Sequence, residues 1–352
     1  MKRRTTLVGC GALLSTTLSG CLGVLPEHLT DRQQWAFETG DSVSSIPTYD
    51  SGVIYTGSRD GTMYVLNAAT GEKEWQATAN DSIAGSITVT DDLAYFGSWD
   101  GHVYAVSTDT GTKEWIVDTS GYIGATPTLA DGTLYIGNGS GEVYALDAYT
   151  GDREWVVETP EASVLSTAVV EKDTVFIGSN DGRLYAIEAE TGTVEWSCQT
   201  NDYVNNSVAL VNGTVIFGSY DGSLYAVNRN DGTIQWEFET PARVQSSPTV
   251  VDGTVYVGNA EGTVYAIDVE TGDHQWVAET GGTIYNASPL IADDTLYIGV
   301  GGQSPGVHAI TLDSRDSQRI FGTDGSVHES PTLLGDTLYF GSFDNHIYAI
   351  SV

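Results

Sequence analysis

The sequence predicts an all-β fold: an eight-bladed β-propeller of four-stranded antiparallel blades, closed by pairing of its N-terminal strand with its C-terminal blade. Three observations predict it. A glycine-led signature recurs eight times, a Trp recurs on the same clock, and the composition favours turns and strands. The opening glycines are Gly57, Gly97, Gly137, Gly178, Gly218, Gly258, Gly299 and Gly341, spaced by 40 to 42 residues. That period is the length of a propeller blade. With 41 Gly and 19 Tyr, the 352-residue chain suits short strands joined by tight turns.

Each copy parses in the same way. A run such as Gly52-Val53-Ile54-Tyr55 is one strand, and Asp60-Gly61 supplies residues tolerant of positive φ for a hairpin. Thr62 to Asn67 is the next strand, apolar on both faces because neighbouring blades cover both sides. Thr70-Gly71 turns the chain, and Glu74-Trp75 lies in the outermost strand. Ser44-Ile46-Pro47-Thr48 leads into an innermost strand, where the residue before Pro is held extended.

The Trp clock reads Trp35, Trp75, Trp115, Trp155, Trp196, Trp236 and Trp276, with Phe321 expected in the eighth place. Trp35 precedes any glycine signature, and the last copy ends at Val352 before reaching a Trp. The first strand, around Trp35, is therefore expected to complete the blade whose other strands run from Val327 to Val352. Such closure removes the open edges that invite aggregation.

Residues 1–20 read as an export signal. Lys2, Arg3 and Arg4 precede an apolar stretch from Leu7 to Leu18, too short to span a bilayer comfortably. It ends in Leu18-Ser19-Gly20-Cys21, which resembles a lipobox with Cys21 as the lipidated residue, and the paired arginines resemble a twin-arginine signal. Residues 21–32 are then a short lipidated linker and 33–352 the propeller. The expected location is the outer face of the cytoplasmic membrane, touched through the lipid anchor alone.

With 47 acidic against 14 basic residues the formal charge is −33. A field of that sign repels phosphate backbones, so no nucleic-acid partner is expected. The acids are spread over all copies, as on a surface solvated for high salt, and the protein reads as halophilic. Cys198 has no partner thiol once Cys21 carries lipid. Five Asn-X-Ser/Thr sequons, at Asn80, Asn138, Asn205, Asn212 and Asn286, are compatible with export.

The phrase Ala-x-Asp/Asn-x-x-Thr-Gly-x-x-x-Trp, clearest from Ala145 through Trp155, resembles the tryptophan-docking repeat of the PQQ-type propeller family. The resemblance covers residues 33–352; the seventh copy departs from it, with Ser304-Pro305 inserted and its Thr-Gly and Trp lost. WD40 propellers share the period, but the one Trp-Asp here, Trp99-Asp100, lies in a hairpin. Two branches of the family bear on function. The quinoprotein dehydrogenases imply PQQ and calcium over the axis, with an adjacent-cysteine disulfide and long insertions, none of which this sequence carries. The chain looks more like the BamB branch, lipoproteins that scaffold assembly. In a halophilic cell the scaffold role is what that likeness implies.

A partner surface follows from topology. With strands A to D running from axis to rim, the Asp-Gly hairpins (B to C) share one face, here called the top, with the crossings from D to the next A. Both ends of the ring then emerge on the bottom. The hairpins present Arg59, Trp99, Tyr220 and Phe343, and the crossings present Tyr122, Tyr203, Asn205, Arg243, Tyr285 and His328. Aromatics and Arg are the usual anchors of protein contacts, so a protein or peptide is expected on the top of a monomeric propeller. The hairpin acids Asp60, Asp100, Asp181, Asp221, Glu261 and Asp344 are read as turn residues and not as a metal ring. The six His show no ligand spacing, and no nucleophile or phosphate motif is present. No catalysis, metal or cofactor is expected; a PQQ- and calcium-dependent redox protein and a solute-binding propeller are the alternatives.

Overall fold

The computed structural model describes residues 31–160 and 162–352. Thirty-two strands form eight four-stranded antiparallel sheets, each a blade. Blade 1 shows the pattern: β2 (Thr48–Asp50), β3 (Val53–Gly57), β4 (Thr62–Asn67) and β5 (Lys73–Thr78), in that order from axis to rim. The two middle strands are buried almost throughout, as their apolar runs require, while the outer strand alternates exposed and covered. Among the described residues no helix is long and apolar enough to cross a membrane. The signal, Cys21 and most of the linker lie outside the described residues.

The ring closes between its first and last strands. β1 (Gln33–Glu38) pairs antiparallel with β32 (His346–Ser351), Trp35 opposite Ala349 and Glu38 opposite His346. This eighth blade also holds β30 (Thr332–Leu334) and β31 (Thr337–Gly341). Gln33 faces Ile350, so both ends of the ring lie together, beside the A–B and C–D turns and away from the Asp-Gly hairpins. Apolar side chains of blade 8 (Tyr339, Ile347, Ala349) pack on Ile54 and Leu66 of blade 1, as successive blades pack elsewhere.

Two sets of polar contacts lock blade to blade. On the inside, Thr48 Oγ1 donates to the Ile87 carbonyl (2.8 Å), Thr128 to Ala168 (2.7 Å) and Thr249 to Pro289 (2.7 Å). Thr332 Oγ1 to the Pro47 carbonyl (2.6 Å) repeats the bond across the seam. On the outside, the outer-strand Trp residues dock on the C–D turn of the following blade. Trp155 Nε1 donates to the Ala189 carbonyl (2.8 Å) and Trp236 Nε1 to Val269 (3.0 Å), the indole lying over a turn glycine. A bulge at the residue before each Trp, such as Glu154, aims the ring at its neighbour.

Phe321 does not occupy the eighth Trp place. It pairs with Val307, the slot that Val157 fills opposite Val143, while Gln318 faces Ala309 where a Trp would stand. Phe321 instead packs on Phe340 and Tyr348 of blade 8. The reason is topological. In blade 8 the third and fourth strands, β32 and β1, are joined by hydrogen bonds and not by a turn, so blade 7 has no C–D turn to dock on.

Candidate functional site

The top face is organised by its backbone. In each hairpin the residue before the Asp or its equivalent donates its N–H to the preceding crossing. Arg59 N bonds to Ser42 O, Trp99 N to Ser82 O, Tyr220 N to Tyr203 O and Phe343 N to Ser326 O, each at 2.9 Å. Hairpin and crossing side chains of one blade are thereby held side by side.

Of the nine aromatic, His and Arg side chains expected on this face, six join into one arc. The Tyr285 ring packs tilted against His328 (4.2 Å between ring centres) and His328 against Phe343 (4.0 Å). The Arg59 guanidinium lies over Phe343 (4.8 Å) and Trp99 (5.4 Å), and Trp99 meets Tyr122 edge to face (6.2 Å). The arc therefore spans blades 7, 8, 1, 2 and 3. The other three form a second cluster on blades 5 and 6: Tyr203 against Tyr220 (5.7 Å), with Arg243 over Tyr220 (5.4 Å). Trp99, Tyr122 and Tyr203 stay 40 %, 40 % and 46 % exposed despite these contacts, enough to meet a partner. His328 is pushed down to about 4 by burial and by the Arg59 charge, so it is a neutral ring at ordinary pH.

Of the hairpin carboxylates, those of Asp60, Asp100 and Asp221 are occupied on both sides, whereas Asp344 Oδ1 is buried without a hydrogen bond. Asp100 Oδ1 accepts from His102 N (3.1 Å); Oδ2 accepts from the Tyr104 hydroxyl (2.6 Å) and from Asn80 N (2.9 Å) in the preceding crossing. Asp60 and Asp221 make the equivalent bonds with Tyr64 and Gly40, and with Tyr225 and Asn201. These acids are staples between hairpin and crossing, more than turn residues alone. Among the described residues no three His, Cys, Asp or Glu side chains are grouped to hold a metal ion.

Between the two clusters opens the axial channel. Its inner part, about 120 Å³, is lined mainly by small and polar residues, including Ser44, Asn205, Gln245, Asn286 and Glu329. The mouth, about 180 Å³, adds Arg59, Trp99 and Tyr122. Glu329 is the lone carboxylate lining the channel among the described residues, and it is not one of the contact residues the repeat register suggests. Part of it faces the lumen, but the surrounding protein desolvates the carboxyl and pushes it up to about 7 against the pull of the Asn286 hydrogen bond and the Arg59 charge. Asn286 Nδ2 donates to its Oε1 (3.0 Å). The sequence carries a signal for it: two residues on from the Val or Ile that packs on each opening glycine, the other seven copies carry Ser45, Gly85, Ala125, Ser166, Asn206, Ser246 and Asn286. A lone acid in that register is an anomaly.

Of the five sequon asparagines, Asn138 is fully buried, with Nδ2 bonded to the Thr119 carbonyl (2.9 Å) and to Glu142 (2.8 Å). Asn80 and Asn212 are exposed. Cys198 is buried, and burial pushes its thiol up.

The family model PQQ_2, described as outer membrane protein assembly factor BamB, matches residues 25–167 and 157–352. The chain belongs to the PQQ_2 family. No curated protein matched the sequence. Among solved structures, BamB from Moraxella catarrhalis aligns with a TM-score of 0.79 at 19 % identity, covering 91 % of this chain and 99 % of that one. The computationally designed Ika8 protein aligns with a TM-score of 0.80 at 15 % identity, covering 91 % of this chain and 100 % of that one. BamB and a computationally designed protein match this PQQ_2 propeller about equally well, so these likenesses speak for the fold and not for the function.

Proposed function

We propose that this PQQ_2 propeller is an exported, lipid-anchored scaffold that binds a protein or peptide on its top face and has no catalytic role. The observation that carries the reading is the arc from Tyr285 to Tyr122, in which a guanidinium lies between exposed Trp99 and half-buried Phe343 around a concave mouth. Such anchors concentrate binding energy in protein interfaces. The lipobox at Cys21 and the placement of the ring's ends support a bottom face turned to the membrane. About ten residues separate Cys21 from β1, a reach of at most about 35 Å. The family's description as an outer-membrane assembly factor supports the scaffold role.

The quinoprotein reading fits the residues poorly. A tricarboxylate quinone needs several cations, and its calcium needs several carboxylates; among the described residues, channel and mouth together offer Arg59 and Glu329. Binding is tested by cross-linking and pull-down from membrane fractions in high salt, with wild type against Trp99→Ala plus Tyr220→Ala. Partners retained by wild type and lost by the double variant support the scaffold. Equal recovery by both, or stoichiometric binding of PQQ with calcium seen by absorbance and calorimetry, overturns it.

A further inference from the structure

The channel mouth holds a charge arrangement that docking of a protein does not explain. Arg59 and Glu329 line the same small cavity, yet neither has an ion-pair partner among the described residues and they do not pair with each other. Arg59 is held in place by Trp99, Phe343 and one bond from Nε to Ser44 Oγ (3.3 Å), which leaves its terminal nitrogens as donors. Glu329 has one oxygen bonded to Asn286 and the other open. Across the channel, Asn205 Oδ1 is buried and accepts no hydrogen bond. Unsatisfied buried acceptors are uncommon and costly when left without a partner.

We propose that the axial mouth is a binding site for a small zwitterion of the α-amino acid type. The ligand's carboxylate docks on the Arg59 guanidinium, and its ammonium is shared by the Glu329 carboxylate and Asn205 Oδ1. A cation alone would meet Arg59, and an anion alone would meet Glu329, so the pair selects a ligand carrying both charges close together. The wall on the side of blades 2 to 4 is Ala84, Gly124 and Leu165, which leaves room for a small side chain. This inference is independent of protein docking on the rim.

The groups facing Glu329 are Arg59, Asn286 and the neutral His328, so its own ionisation dominates the pH response. Binding an ammonium favours the ionised carboxylate, so near pH 7 binding releases protons, and affinity rises between about pH 6 and 8. Calorimetry on the full chain with glycine and L-alanine, and with methylammonium and acetate as single-charge probes, tests the proposal. Expected are one-to-one binding of the amino acids, at least about tenfold tighter than either single-charge probe, and a heat that changes with the buffer's ionisation enthalpy. Glu329→Gln and Arg59→Met should each weaken it at least about tenfold, and Glu329→Gln should abolish the proton release. Tyr149→Ala, on an exposed turn of the opposite face, should bind as wild type. Absence of saturable binding at millimolar amino acid overturns the site. So does acetate or methylammonium binding as tightly as glycine, or a folded Glu329→Gln that binds like wild type.

Discussion

Trp35 donates its indole N–H to the carbonyl of Ala68 at 2.9 Å and lies over Gly71. One residue belongs to the first strand and the other to the first complete blade, so this contact and the β1–β32 pairing clasp the ring from two sides. Trp35→Ala removes a buried indole and its hydrogen bond at the seam. The expected loss is about 3–5 kcal/mol by denaturant unfolding, more than for the same change at half-exposed Trp115. Deleting residues 33–38 should expose an open edge and drive aggregation.

Gly71 and Gly52 separate two effects of one substitution. Both have positive φ, +71° and +92°. A Cβ at Gly71 would come within 2.6 Å of the Trp35 ring, whereas a Cβ at Gly52 meets nothing within 4 Å. Gly52→Ala should cost about 1 kcal/mol, the backbone term alone. Gly71→Ala should cost at least about twice that, by the same unfolding measurement.

Asp100 is drawn up by desolvation, but hydrogen bonds from Tyr104, Asn80 and His102 prevail and hold its carboxyl below the usual range. Its folded pKa lies below its unfolded one, so its contribution is present above about pH 4 and is lost as pH falls through the folded value. Asp100→Asn should cost about 1–2 kcal/mol at pH 7 and converge on wild type near pH 3, as read from urea midpoints across pH.

Glu329 has the opposite sign. Its folded pKa is raised to about 7, so its contribution is full below the unfolded value and is lost as pH rises through 7. Glu329→Gln should therefore be more stable than wild type at pH 8, by about 1–2 kcal/mol after screening by water in the lumen, and nearly equal to it at pH 4. Melting curves of both proteins at the two pH values measure this.

One Arg–Glu ion pair, Arg229 with Glu171, and two His–Asp contacts join described residues, while the chain carries a formal charge of −33. Self-repulsion is thus largely uncompensated by pairing. Raising salt from about 0.1 M to 2 M should raise the melting temperature steeply, because the Debye length falls from about 10 Å to under 3 Å. A flat melting temperature over that range would contradict it.

Blade number, strand order, seam and top-face side chains were all legible in the sequence because they are periodic. A residue's slot in a repeat dictates which turn, strand or crossing it occupies, and Arg59, Trp99, Tyr220 and Phe343 stand where the count puts them. The charges gathered at the axis were not legible in that way. The missing Trp of blade 7 looks like wear until the neighbouring blade is seen to lack a C–D turn. Glu329 is one acid among 47 until closure brings it into the channel with Arg59, 270 residues earlier in the chain. Local spacing encodes what each copy does, because backbone hydrogen bonding and burial repeat with it. Which charges share a cavity, and whether they find partners, depends on contacts between distant copies, and those exist only once the ring has closed.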